Sequence, residues 1–64
     1  MPITKERFLG VYSNLPLGVR REIILVIEGK PITWNAAYIE VSENTTLGKE
    51  ILKKIENLGI IKGD

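Results

Sequence analysis

Apolar residues follow three different rhythms along this chain. In the first stretch Phe8, Val11, Tyr12 and Leu15 recur at i, i+3, i+4 and i+7, the spacing that gathers side chains on one face of a helix. Thr4 is placed to cap that helix, and Ile3 ahead of the cap can meet Phe8 at the fourth helical position as a hydrophobic staple. Gly10 weakens the helix by about 1 kcal/mol relative to Ala. Pro16 disfavours helical geometry at Leu15, so the helix is expected to end near Asn14. Residues 16–21 then form a turn or a single helical turn.

The second rhythm is an uninterrupted apolar run, Ile23 to Ile27, between Glu22 and Glu28. Its β-branched content and its length predict a strand, and the lack of alternation predicts burial on both faces. Gly29 follows at once, so Glu28-Gly29 or Gly29-Lys30 supplies a tight turn, and Lys30 to Thr33 returns as the second arm of a hairpin. Pro31 cannot donate to a ladder, which makes this arm a short edge strand.

The helical rhythm then resumes twice. Thr33 precedes Trp34, Ala37, Tyr38 and Val41, a helix expected to stop at Glu43 or Asn44. Thr45 or Thr46 caps a third helix, with Leu47, Ile51, Ile55 and Leu58 on one stripe, Leu52 widening it and Gly59 placed to end it. Ile60 and Ile61 are too apolar for a free tail and are expected to add a short strand or to dock on the core. The pattern predicts a single α+β domain over residues 1–64: an N-terminal helix, a β-hairpin, two consecutive helices and a short C-terminal strand. Its sheet would be small, antiparallel or mixed, and packed on helices.

Composition sharpens this picture. A chain of 64 residues with one small core gains little stability from it, on the order of 3–5 kcal/mol. The chain has neither Cys nor His, so disulfides and the common zinc sites are unavailable to reinforce it. Good packing or oligomerisation must do so instead. The charged set is almost all Lys, Arg and Glu, a bias also met in proteins from hot environments. Met1 to Thr4 runs directly into Lys5-Glu6-Arg7 without an apolar leader, and the longest apolar run is far too short to span a membrane. A cytoplasmic location is expected.

The missing residue types also narrow the chemistry. Without His and Cys most nucleophile and base pairings are lost, together with thiolate or imidazole metal and haem ligation, so neither a metal nor a cofactor is expected. The carboxylates that share a helix, Glu40 with Glu43 and Glu50 with Glu56, read as solvated helix faces rather than as catalytic pairs. Lys30 reads as a hairpin-tip residue rather than an amine nucleophile. Gly48-Lys49 lacks the upstream glycine and the following Ser or Thr of a phosphate-binding loop. No catalytic residue is assigned, and the protein is not expected to be an enzyme.

Two classes of function remain. Net charge is only +1 with both signs interleaved, yet residues 1–32 carry five cations against three carboxylates. Arg7, Arg20, Arg21 and Lys30 could therefore contact phosphates in a nucleic-acid-binding accessory or regulatory protein. The reading that the small core and the apolar strand favour is a non-enzymatic protein-interaction module or small accessory subunit that forms a homodimer. Trp34, Tyr38, Ile60 and Ile61 are its candidate interface residues, although the spacing of Trp34 and Tyr38 also suits a core-facing pair.

Overall fold

Three threonines open the three helices. The structure, a computed structural model, describes residues 4–61. Helix α1 (Lys5–Ser13) begins after Thr4, α2 (Trp34–Ser42) after Thr33 and α3 (Thr46–Asn57) after Thr45. Each threonine holds an extended backbone while its hydroxyl accepts the N–H three residues on, from Arg7, Ala36 and Gly48, at 3.1, 3.0 and 2.9 Å. These bonds satisfy donors that the first helical turn leaves without a partner. The proposed staple partner of Phe8, Ile3, lies outside the described residues.

The helices end as deliberately as they begin. Asn44, at φ 58°, closes α2, with its N–H on the Val41 carbonyl and that of Thr45 on the Glu40 carbonyl. Gly59, at φ 72°, closes α3 in the same way, with its N–H on Glu56 and that of Ile60 on Ile55. Both are Schellman turns, which need a left-handed residue at one position, and glycine or asparagine tolerates it best. Thr45 therefore serves two helices at once, completing the end of α2 and capping α3.

Strands β1 (Ile23–Ile27) and β2 (Lys30–Thr33) form an antiparallel hairpin, preceded by a single 3₁₀ turn at Val19–Arg21. Glu28 and Gly29 connect them with φ 50° and 80°, the two positive values of the primed turn that matches strand twist. Ile27 and Lys30 flank this turn and so form a hydrogen-bonded pair. The next pair, Val26 with Pro31, is then a non-hydrogen-bonded one, and the missing N–H of Pro31 costs the ladder nothing.

Every element contributes to one core. Phe8, Leu25, Ile27, Ile32, Trp34, Ala37, Val41, Ile51, Ile55 and Ile61 are its buried members. Phe8 stacks on Trp34 with ring centroids 5.9 Å apart, which joins α1 to α2. The α+β class, the element order through α3 and the cap assignments thus agree with the sequence pattern.

Three expectations need correction. The short C-terminal strand at Ile60 and Ile61 does not form among the described residues, where the sheet has two strands. The Schellman turn at Gly59 reverses the chain there, so Ile61 docks in the core at 6% exposure while Ile60 stays at 38%. Leu58 is 58% exposed instead of buried, because it is the C-cap of α3 and the reversal sends Ile61 inward in its place. Strand β1 is not buried on both faces either. Leu25 and Ile27 point into the core, but Ile23 is 59% exposed and Val26 53%.

Candidate interaction surface

The exposure of Ile23 and Val26 follows from pairing geometry. Strict alternation puts Leu25 and Ile27 on the helix side and Val26 on the other. Ile23 should then rejoin the buried set. It does not, because the register slips between Ile23 and Leu25: two steps along β1 match the single step from Thr33 to Ile32. Ile24 is the extra residue of a β-bulge, half-buried against the core, and the alternation restarts beyond it. Ile23, Val26 and the exposed Pro31 directly opposite Val26 consequently leave an apolar solvent side on the hairpin. The other large exposed apolar residues are Leu17 in the segment before the 3₁₀ turn, Tyr38 and Ile39 on α2, and Leu58 and Ile60 around the turn that ends α3.

The four candidate interface residues divide. Trp34 belongs to the core, under Phe8. Tyr38, one turn later, sits at the rim with 39% of its surface exposed and stacks on Tyr12 at 4.4 Å and 10°. Two aromatic residues one turn apart on α1 therefore meet two one turn apart on α2. Ile61 is a core residue and Ile60 a surface one, as described above. The sequence pattern named neither Ile23 nor Val26 as a separate surface, since a continuous apolar run does not say which of its members face inward.

The basic candidates are not gathered into one patch. Arg7 lies on the exposed part of α1, and Lys30 sits beside the hairpin turn. Arg20 and Arg21 occupy the 3₁₀ turn at the opposite end of β1. Four residue steps separate Ile23 from Ile27, so the strand alone sets roughly 13 Å between these two ends. Arg20 is moreover engaged within the fold. Its guanidinium lies over the Tyr12 ring, 4.5 Å from the centroid, and its Nη2 donates to the Ser13 carbonyl at 3.2 Å. Tyr12 thus meets both Arg20 and Tyr38, while its hydroxyl donates to Asn35 Oδ1 at 2.6 Å.

The remaining polar residues find structural uses or solvent. Glu40 Oε1 accepts the Thr45 hydroxyl at 2.6 Å, which ties α2 to the first residue of the following cap. Lys5 Nζ donates to the Ser42 carbonyl at 3.2 Å, a cation at the carbonyl end of α2. A shallow groove between the hairpin turn and α3 is lined by Glu28, Glu50, Lys53 and Lys54 beside Ile27 and Asn57, and all four charged side chains are exposed. Its charges are solvated rather than focused on one point. Among the described residues no group of three or more carboxylates is arranged to hold a metal ion, and no helix is long and apolar enough to cross a membrane.

Gly48 shows how the Gly-Lys pair is used. A β-carbon there would collide with the Glu40 carbonyl and come within 3.0 Å of the Val41 Cα. The glycine lets two helix backbones touch. In comparisons with protein-family models, with curated proteins and with solved structures, nothing matches the chain.

Proposed function

We propose that the protein is a non-enzymatic interaction module, a small accessory subunit that pairs with a second copy of itself through the solvent side of its hairpin. The observation that carries this reading is the exposure of Ile23 and Val26, 59% and 53%, on a strand whose five residues are all apolar. Burying such a side chain fully contributes about 1.5–3 kcal/mol. That gain is large beside the few kcal/mol that a core of this size supplies. A two-fold contact uses the same patch on both partners, so one apolar side per chain suffices. The absence of His and Cys from the chain supports the non-enzymatic part of the reading.

Sedimentation equilibrium across a wide concentration range tests it. The wild-type chain is expected to reach the mass of a dimer. The Ile23→Lys/Val26→Lys variant is expected to remain a monomer with an unchanged far-UV circular dichroism spectrum, since both side chains are outside the monomer's core. A wild-type chain that stays monomeric at every concentration overturns the reading, and so does a double variant that associates as strongly as the wild type.

A further inference from the structure

We draw no further inference here: the strongest candidate, the solvent side of the hairpin at Ile23, Val26 and Pro31, belongs to the surface already described, and nothing in the structure shows what else covers it.

Discussion

The seam between α2 and α3 and the solvent side of the hairpin both present apolar side chains, yet one is closed and the other open. At the seam Val41, Ile51 and Ile55 are fully buried, Thr45 bonds to both helices, and Gly48 leaves no room for a methyl group. On the hairpin, Ile23 and Val26 have no comparable cover from the described residues. Hydrophobicity alone does not separate the two regions. What separates them is whether the chain supplies a second surface at the right place. A helix pair joined by a three-residue turn brings its own partner, whereas a two-stranded sheet has two faces and the helices occupy one.

The largest effect should come from the closed region. Ile51→Ala removes buried methyl groups at a point where the surrounding backbone cannot collapse, and the expected cost is about 2–5 kcal/mol. Against a total on the order of 3–5 kcal/mol for a core of this size, that removes most or all of the native state. Urea titration followed by circular dichroism checks this. A loss below about 1 kcal/mol would mean that the seam is looser than its burial indicates.

Gly48→Ala sharpens the same comparison, because helix propensity and packing predict opposite signs. Alanine is favoured over glycine in a helix interior by about 1 kcal/mol. The collision with the Glu40 carbonyl forces the helices apart, and overpacking of this kind costs about 1–3 kcal/mol. A net loss is expected. At Gly10, in α1, an added β-carbon would meet nothing within 4 Å, so Gly10→Ala should instead gain about 0.4–1 kcal/mol. Denaturant midpoints of the two variants should move in opposite directions, and an upward shift for Gly48→Ala as well as for Gly10→Ala would refute the packing argument at Gly48.

These substitutions also mark how far the sequence could be read. Thr4, Thr33 and the pair Thr45-Thr46 announced their helices because a cap is a local bond between residues three apart, and of the pair it is Thr45 that makes the bond. Gly59 announced a stop for a similarly local reason. What no local rule could supply was the bulge at Ile24, since a slipped register belongs to the pairing of two strands and not to either one alone. The burial of both faces expected for β1 failed because the helices cover one side of a two-stranded sheet, and the bulge set Ile23 beside Val26 on the other side. Leu58 was misplaced because periodicity continues on paper past the residue where the helix stops. The candidate basic residues were identifiable by type, but their separation depends on which end of the hairpin each occupies. Arg20 looked like a free cation only because Tyr12, eight positions earlier, is not visibly its neighbour in the sequence.

The smallest expected effect lies on the open side, at Val26. Val26→Ala removes two methyl groups from a side chain that is more than half exposed, so at high dilution, where the proposed pairing would be undone, the stability should change by no more than about 0.5 kcal/mol. On the proposed pairing, the same substitution should matter more as concentration rises, because association that involves only the native state stabilises it increasingly with protein concentration. Chemical denaturation at two protein concentrations separates these contributions. A concentration-dependent midpoint in the wild type that flattens in Val26→Ala places the side chain in the contact between copies. A loss above about 1.5 kcal/mol at the lowest concentration, the size expected for a buried side chain, would instead put Val26 in the monomer's own core. The contrast between the closed seam and the open hairpin would then disappear.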